Sequence, residues 1–336
     1  MLRVSSALPL LFVALSAMIG CGRAERTTPA GGASPAPRKV VLQTDWFPQA
    51  EHGGFYQALA RGFYAEVGLD VVIWAGGPGS GIKLKVARGD ADFGLQRSDD
   101  LILAASRGMP LIAVAASMQH DPMALMVHAE SPVRSFRDLD GRTVIGNVGM
   151  AWFPFLEKKH GITIARRQNT YGLGEFLAKP DTIQQCVVTN EPFFARQHGR
   201  IVRTLPFADS GYDCQHTIFT RRELTRTAPE MIRAFVAASI RGWRDYLEGD
   251  PSPADALILA RNAQMTPELL AFSRRELVAR RIVHGDPAHG DGIGLISPSR
   301  LAAVMEQLLG LKILDAAVPL AEVVTTAFLP DATTLP

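Results

Sequence analysis

Residues 39–75 read KVVLQTDWFPQAEHGGFYQALARGFYAEVGLDVVIWA, and this stretch decides the fold class. It begins with KVVLQTDW and ends with LDVVIWA, two runs rich in the β-branched and aromatic residues that favour strands. Between the two runs, Tyr56, Ala60 and Phe63 recur at the spacing of a helix. A strand, a helix and a second strand in this order are typical of a βαβ unit, in which the two strands are parallel.

The same alternation continues beyond residue 75 and predicts two lobes. GGPGSG at residues 76–81 is a glycine-rich turn before a helix that should begin near Ile82. After PMALMVH at residues 122–128 the alternation starts again, which predicts a crossing into a second lobe, and residues 212–220 should cross back. The further elements expected are strands at residues 90–96, 111–118, 182–188 and 201–208, a strand ending at Ile145, and helices at residues 99–107, 151–161, 227–249, 253–262, 267–278 and 298–309.

We therefore expect an α/β fold in which each lobe is a mostly parallel sheet flanked by helices. Residues 39–124 and 215–330 are assigned to lobe 1, and residues 125–214 to lobe 2. The chain has 336 residues, of which 47% are hydrophobic and 20% charged, as in an average folded protein. Its formal net charge of +2 is too small to indicate a nucleic-acid partner.

The N-terminus has the features of a secretory signal peptide at residues 1–20. Its apolar run from Ala7 to Ile19 is shorter than the roughly 20 residues that a membrane-spanning helix needs. Gly20 before Cys21 resembles the lipobox of bacterial lipoproteins, which predicts a lipid anchor on Cys21 and a flexible tether at residues 21–38. The alternative is an ordinary cleaved signal, and both interpretations predict an extracytoplasmic location.

Motifs for metal binding, nucleotide binding and nucleophilic catalysis are missing from the sequence. It contains no CxxC and no HExxH, so no metal is expected. The GGPGSG turn lacks the Lys-Ser/Thr ending of a P-loop, and no GxSxG is present, so neither a cofactor nor a catalytic residue is expected. Cys186 and Cys214 could form a disulfide in an oxidising compartment, but their spacing does not decide it.

The candidate ligand-binding residues follow the predicted strands, because ligands of open α/β sheets bind at the carboxyl ends of strands. Aromatic rings with a few polar groups among them are typical of a site for a small molecule. The candidates are Trp46, His52, Tyr56, Gln96, Ser98, Ser117, Asn147, Met150, Trp152, Asn190, Glu191 and Tyr212.

Each of the most informative candidates also has a purely structural explanation. Trp46 and Trp152 could be ordinary core residues. His52 could cap a helix, and Glu191 could lie in solvent beside Pro192. These alternatives remain open from the residues alone.

The opening segment resembles the extracytoplasmic solute-binding proteins of ABC importers, specifically the thiamine-pyrimidine family. The matching residues are Asp45-Trp46, Pro48, His52, Tyr56 and the run GFYAEVGLDV at residues 62–71. The likeness continues through ARGDADFGL, SFRDLDGRTVIG, Asn190-Glu191-Pro192 and GYDCQHTIFTRRE, and it covers about residues 39–245.

This resemblance implies a type II periplasmic-binding-protein fold, whose two lobes close over a ligand. It also implies that Trp46 and Tyr56 line one face of the cleft and that residues after Ile145 line the other. The expected partners are a small planar nitrogen heterocycle, such as a thiamine-pyrimidine precursor, and a membrane permease. The run before Asn190 contains Gln184, Gln185 and Cys186 in place of the family's usual acidic and small residues, which leaves the ligand's identity open.

Two other functions stay open beside transport. The same family includes an enzyme that makes the thiamine pyrimidine from its own histidine and pyridoxal phosphate, with a cysteine-rich iron-binding motif. Only Cys214 falls near the position of that motif, and His52 falls near the sacrificial histidine. The third possibility is a ligand sensor that works without a transporter.

Overall fold

The computed structural model describes residues 36–330 of the chain. The predicted signal peptide, most of the predicted tether and Cys21 lie outside the described residues. The ten strands, in chain order, are β1 (Arg38–Gln43), β2 (Leu69–Trp74), β3 (Phe93–Arg97), β4 (Leu111–Met118), β5 (Met123–His128), β6 (Thr143–Gly146), β7 (Ala165–Gln168), β8 (Ile183–Val187), β9 (Val202–Pro206) and β10 (His216–Arg221). The α-helices are α1 (Gly53–Ala60), α2 (Phe63–Glu66), α3 (Ile82–Arg88), α4 (Ser98–Ser106), α5 (Trp152–His160), α6 (Gly174–Ala178), α7 (Glu191–Gln197), α8 (Leu224–Thr227), α9 (Pro229–Glu248), α10 (Ser252–Arg261), α11 (Pro267–Ala279) and α12 (Pro298–Gly310).

The strands form two five-stranded sheets, one in each lobe. The order in the first sheet is β2-β1-β3-β10-β4, and the order in the second is β7-β6-β8-β5-β9. In the first sheet only β10 runs antiparallel to its neighbours, and in the second sheet only β5 does so. The prediction of an α/β fold with two mostly parallel sheets is therefore confirmed.

Two crossings join the sheets, and each of them leads into the antiparallel strand of the sheet it enters. The first runs from β4 through residues 119–122 to β5, and the second runs from β9 through residues 207–215 to β10. The strands that follow these crossings begin at Met123 and His216, next to the predicted changes of lobe after residues 124 and 214.

The first helix and the long ninth helix pack with unusually close backbones. A Cβ atom at Gly54 would overlap the ring of Trp243 on α9, and a Cβ atom at Gly242 would overlap the carbonyl oxygen of Gly54. Only glycine fits where two backbones approach so closely. This packing holds the start of α1, and with it the preceding turn of residues 50–52, in a fixed position beside the first sheet.

Three short elements of lobe 2 were not expected from the sequence: β7, α6 and α7. All four residues of β7 are exposed at the edge of the second sheet, so the strand lacks the alternating apolar pattern that would indicate it.

Cys186 and Cys214 are both buried and both free, which excludes the disulfide between them in this structure. No helix within residues 36–330 is apolar and long enough to cross a membrane.

Candidate functional site

A cavity of about 660 Å³ lies between the two lobes. Sites for small molecules commonly measure about 300–1,000 Å³, so the cavity is large enough for one. Lobe 1 contributes mainly the loop that follows β1, and lobe 2 contributes residues that follow β6, β7 and β8. The lining residues are Asp45, Trp46, Phe47, Gln49, Glu51, His52, Pro78, Met118, Pro122, Met123, Asn147, Asn169, Tyr171, Leu173, Gln185, Cys186, Val187, Asn190, Glu191, Phe194, His198, His216 and Gln264.

Three aromatic rings form one wall of this cavity. The ring of Trp46 is 5.6 Å from that of Phe47, in an edge-on arrangement, and 5.3 Å from that of Tyr171. Trp46 and Phe47 follow β1 in lobe 1, whereas Tyr171 follows β7 in lobe 2. Trp46 thus lies in a cavity wall that both lobes build, and aromatic rings of this kind can stack on a planar ligand.

Asp45 is held as a carboxylate by two histidines. Its Oδ1 lies 2.8 Å from His52 Nε2, and its Oδ2 lies 3.9 Å from His216 Nδ1. Burial acts to raise the pKa of Asp45, but the hydrogen bond with His52 and the charges of both histidines outweigh it, so the pKa lies below its ordinary value. The cavity therefore contains a fixed negative charge on the lobe 1 side.

A buried chain of charged groups continues behind His216. Its Nε2 lies 3.6 Å from Asp121, which pairs with Arg97, and Arg97 pairs in turn with Asp99 at 3.1 Å. Burial opposes the charge on His216, but the nearby carboxylates of Asp121 and Asp45 raise its pKa above the ordinary value. Because each charge has a partner of opposite sign, the chain supports the cavity floor without adding a free cation.

Glu191 lines the wall on the lobe 2 side, at the first position of α7. Its Oε2 accepts a hydrogen bond of 2.7 Å from the backbone N–H of Val187, and Oε1 accepts no hydrogen bond from another residue in 36–330. Burial, with a smaller effect from the charge of Glu51, raises the pKa of Glu191 to about 7. Near neutral pH this side chain is therefore divided between its carboxylate and its carboxylic acid.

A second carboxyl group, Glu51, joins the lobes beside the cavity. Its Oε1 accepts a hydrogen bond from Thr189 Oγ1, and the carbonyl oxygen of Thr189 accepts one of 2.6 Å from Ser273 Oγ on α11. All three side chains are buried. Burial raises the pKa of Glu51 even though the hydrogen bond from Thr189 acts to lower it. Thr189 of lobe 2 thus forms hydrogen bonds with two side chains of lobe 1, directly before Asn190 and Glu191 in the chain.

Amide groups supply further polar contacts on the lobe 2 side. Gln185 Oε1 accepts a hydrogen bond of 2.9 Å from the backbone N–H of Asn147, and this bond holds the loop after β6 against the cavity. Within residues 36–330, the hydrogen-bond acceptors of Gln185 Nε2 are the sulfur atoms of Met123 and Met150, at 3.5 and 3.7 Å. Since sulfur is a weak acceptor, this N–H group can donate to a ligand.

Among residues 36–330, the acidic and basic side chains that line the cavity are three carboxyl groups and three histidines. Its carboxyl side chains are Asp45, Glu51 and Glu191, while no lysine or arginine within residues 36–330 lines it. A bound anion would therefore meet the carboxylate of Asp45, while His216, whose pKa is raised, is already paired with Asp45 and Asp121. Such a site favours a ligand that is neutral or positively charged.

Five of the twelve candidate residues line the cavity: Trp46, His52, Asn147, Asn190 and Glu191. Their contact with a ligand stays a prediction, but the structure brings them together from both lobes. Trp46 lines the cavity, so it is not an ordinary core residue. Glu191 also lines the cavity, so it does not lie in open solvent.

The other seven candidates do not line the cavity. Trp152, at the start of α5, is fully buried and stacks on Phe207 with ring centres 4.4 Å apart, so it is a core residue of lobe 2. Tyr56 is buried because α1 turns it toward the core, and Tyr212 is buried with its hydroxyl donating to Asp99 at 2.6 Å. The remaining residues outside the cavity lining are Gln96, which donates to Asp100, the buried Ser98 and Ser117, and Met150, which lies behind Gln185.

Several lining residues were missing from the candidates. Tyr171 follows β7, so the rule that ligands bind after strands would have found it if that strand had been recognised. Glu51 and Phe47 are neighbours of the chosen His52 and Trp46, and no pattern distinguished them. Among residues 36–330 no group of three or more histidine, cysteine, aspartate or glutamate side chains is arranged to hold a metal ion.

The raised pKa of Glu191 predicts a pH-dependent stability. The folded protein holds this proton up to about pH 7, whereas an unfolded glutamate releases it near its ordinary pKa of 4.5. The contribution of Glu191 to stability is therefore fully present below pH 4.5 and is lost as the pH rises through 7. In Glu191→Gln this loss is absent. The melting temperature of the ligand-free variant, minus that of the wild type, should therefore increase between pH 4.5 and 7 and stay constant above pH 7. A melting-temperature difference that stays constant from pH 4.5 to 7 would contradict the raised pKa of Glu191.

The chain matches one family model and is similar in sequence to several named proteins. A family model described as NMT1/THI5 like matches residues 49–254. The riboflavin-binding protein RibY of Chloroflexus aurantiacus is 26% identical over 286 residues, which cover 76% of this chain and 79% of that protein. The 4-amino-5-hydroxymethyl-2-methylpyrimidine phosphate synthase of Legionella pneumophila is 25% identical over 309 residues, which cover 87% of this chain and 93% of the synthase.

Solved structures resemble the chain in fold at low sequence identity. The alkanesulfonate-binding protein SsuA of Xanthomonas axonopodis pv. citri, bound to MOPS, aligns with a TM-score of 0.61 and 14% identity. The alignment covers 87% of this chain and 99% of SsuA. This likeness shows the type II periplasmic-binding fold that the sequence resemblance implied.

Proposed function

Since the chain belongs to the NMT1/THI5-like family, we propose that it is the ligand-binding component of an ABC importer. Its ligand is a small planar nitrogen heterocycle, of the kind found in thiamine-pyrimidine precursors. It delivers this ligand to a membrane permease from outside the cytoplasm.

The observation that carries the proposal is the composition of the cavity between the lobes. The ring of Trp46 offers a face for stacking, while Asp45 and Glu191 offer hydrogen-bond acceptors on opposite walls. Binding groups on both lobes mean that a ligand stabilises the closed arrangement, as capture by a two-lobed receptor requires.

The charges of the cavity favour an amino-substituted heterocycle over an anion. An exocyclic amino group can donate to Oε1 of Glu191, and bonds to an ionised acceptor are the stronger kind. A sulfonate would instead be repelled by the carboxylate of Asp45, and no lysine or arginine of residues 36–330 lines the cavity to pair with it. The fold relative SsuA is named for an alkanesulfonate, so the two proteins would differ in ligand charge.

The names of the sequence relatives agree with a planar heterocycle but leave a second function open. One relative is named for binding riboflavin, and another is named as a pyrimidine phosphate synthase. The residues of this chain do not fit the synthase's cofactors as the family resemblance describes them. The sequence has three cysteines, at positions 21, 186 and 214, and so lacks the cysteine-rich iron-binding motif. No lysine of residues 36–330 lines the cavity, so the described lining offers none to hold pyridoxal phosphate.

The decisive experiment is mass spectrometry of the small molecule that co-purifies with the full-length protein. We expect an amino-substituted planar heterocycle without a phosphate group. An alkanesulfonate or another anion would contradict the proposal, and bound iron with pyridoxal phosphate would favour the synthase. Genes for a permease and an ATPase beside this one would distinguish transport from ligand sensing.

The proposed importer component is held at a membrane by lipid on Cys21. The apolar run that ends in Gly20-Cys21 supports this anchor, and the following polar stretch would serve as the tether. We expect Cys21→Ser to release the protein into the soluble fraction, whereas the wild type stays with the membrane. Metabolic labelling with a fatty acid checks the cause, because an unlabelled wild-type protein would exclude the anchor.

A further inference from the structure

Tyr171 has a backbone conformation that tyrosine seldom adopts. Its φ of 62° lies in the left-handed region, where glycine is the usual residue, and the next residue in the chain is Gly172. Strained positions of this kind persist where the surrounding structure determines them, and they cluster at ligand clamps. A glycine at this position would avoid the strain, so the tyrosine ring is a candidate for a role in ligand binding.

Two buried amide side chains hold the loop of Tyr171 in this conformation. Asn169 Oδ1 accepts a hydrogen bond of 2.8 Å from the backbone N–H of Tyr171, and Gln184 Nε2 donates one of 3.0 Å to the carbonyl oxygen of Gly172. The backbone N–H of Asn169 donates in turn to Gly146 at 3.0 Å. The loop is thus fixed on both sides of Tyr171, and its ring is directed across the gap between the lobes.

The ring of Tyr171 meets Trp46 of lobe 1 at the edge of the cavity. The ring centres are 5.3 Å apart with the planes inclined at 48°, while Tyr171 as a whole remains 51% exposed. A planar ligand stacked between the two rings would need about 7 Å, twice the closest carbon–carbon spacing of roughly 3.5 Å. The ligand must therefore lie to one side of the pair, within the cavity.

We propose that Tyr171 is an aromatic clasp that joins the two lobes outside the ligand and sets the rate at which the ligand dissociates. This inference rests on the proposed function for its ligand, but the contact between Tyr171 and Trp46 exists without one. The clasp acts on dissociation because a ligand already enclosed has to wait until the two rings part.

Stopped-flow dissociation tests the clasp with riboflavin and with 4-amino-5-hydroxymethyl-2-methylpyrimidine as the two probes. We expect Tyr171→Ala to raise koff at least fivefold, while Tyr171→Phe, which keeps the ring, stays within twofold of the wild type. Lys312→Gly is the matched control, because Lys312 also has a positive φ, of 58°, and does not line the cavity. Its koff should equal that of the wild type. A wild-type koff in Tyr171→Ala, with binding intact, overturns the proposal.

A ligand-free measurement separates failure of the clasp from failure of the proposed function. Spin labels at Leu84 on α3 and Ile201 before β9, both exposed, report the distance between the lobes. We expect Tyr171→Ala to lengthen or broaden the distance distribution, and Tyr171→Phe to retain it. If the wild type binds neither probe, the proposed ligand class is wrong, and an unchanged distribution in Tyr171→Ala then overturns the clasp.

In the full chain with Cys21 replaced by serine, the spin label reacts selectively with the cysteines introduced at positions 84 and 201. Cys186 and Cys214 are buried, and burial raises the pKa of both thiols well above the ordinary value. Since the thiolate is the reactive form, the introduced cysteines take the label and the native pair does not.

Discussion

Glu191→Gln is expected to weaken the binding of an aminopyrimidine by about 1.5–3 kcal/mol, the range for a hydrogen bond to a charged group. This corresponds to roughly a 10- to 150-fold rise in Kd. The geometry explains why glutamine is a poor substitute. Because Oε2 of Glu191 accepts from the backbone N–H of Val187, the amide oxygen of a glutamine takes that place and its NH₂ group turns toward the cavity. The ligand's amino group would then face a donor instead of an acceptor.

Titration calorimetry with 4-amino-5-hydroxymethyl-2-methylpyrimidine measures this effect. Glu175→Gln is the matched control, since Glu175 lies on α6 of the same lobe, pairs with Arg167 and Lys179, and does not line the cavity. Its affinity should equal that of the wild type. The affinity of the wild type should also rise between pH 6 and 8 as Glu191, with its pKa of about 7, becomes ionised. Equal affinity and an equal pH profile in Glu191→Gln would rule out a direct bond.

Trp46→Ala is expected to raise the Kd for a planar heterocycle more than tenfold. A tenfold change corresponds to about 1.4 kcal/mol. A well-placed aromatic pair contributes roughly 0.5–1.5 kcal/mol beyond the burial of apolar area, and the substitution removes both contributions. The fold should survive, because Trp46 lies in a loop and is only half-buried. The same substitution also removes the partner of Tyr171, so part of the loss should appear as faster dissociation.

Trp74→Ala is the control for Trp46→Ala. Trp74 is another tryptophan of lobe 1, the last residue of β2, and it is exposed but does not line the cavity. Its replacement should leave the Kd unchanged, while circular dichroism confirms that both variants keep the fold. An unchanged Kd in Trp46→Ala for a ligand that the wild type binds would show that stacking on this ring is not used.

The fold was largely predictable because most of its elements have a strong local pattern. The buried strand β4 reads as a continuous apolar run, and α9 begins with a proline and carries a broad apolar face. The edge strand β7 reads ARRQ, and its pairing with β6 depends on partners that lie far away in sequence. No local pattern could indicate such a strand, and the loop with Tyr171 was missed together with it.

The site was predictable only in part, because position after a strand does not determine the direction of a side chain. Trp46 lies in a loop and faces the cavity, but Trp152 is the first residue of α5 and its ring turns into the core. The direction is set by where the helix begins, and helix boundaries are the least certain part of a sequence-based prediction. The pairing of Asp45 with His216 is likewise invisible in the sequence, since β10 brings His216 to the site from the distant end of the second crossing.

The place of β10 in the first sheet also determines the order in which the molecule can fold. This strand lies between β3 and β4, yet the chain reaches it only after every strand of lobe 2. As the polypeptide emerges from the ribosome, the first sheet has a gap at an inner position until residues 216–221 arrive. The second sheet consists of β5 to β9, which are continuous in sequence, so it can close earlier with shorter loops. The lobe that is made first is therefore the lobe that is completed last.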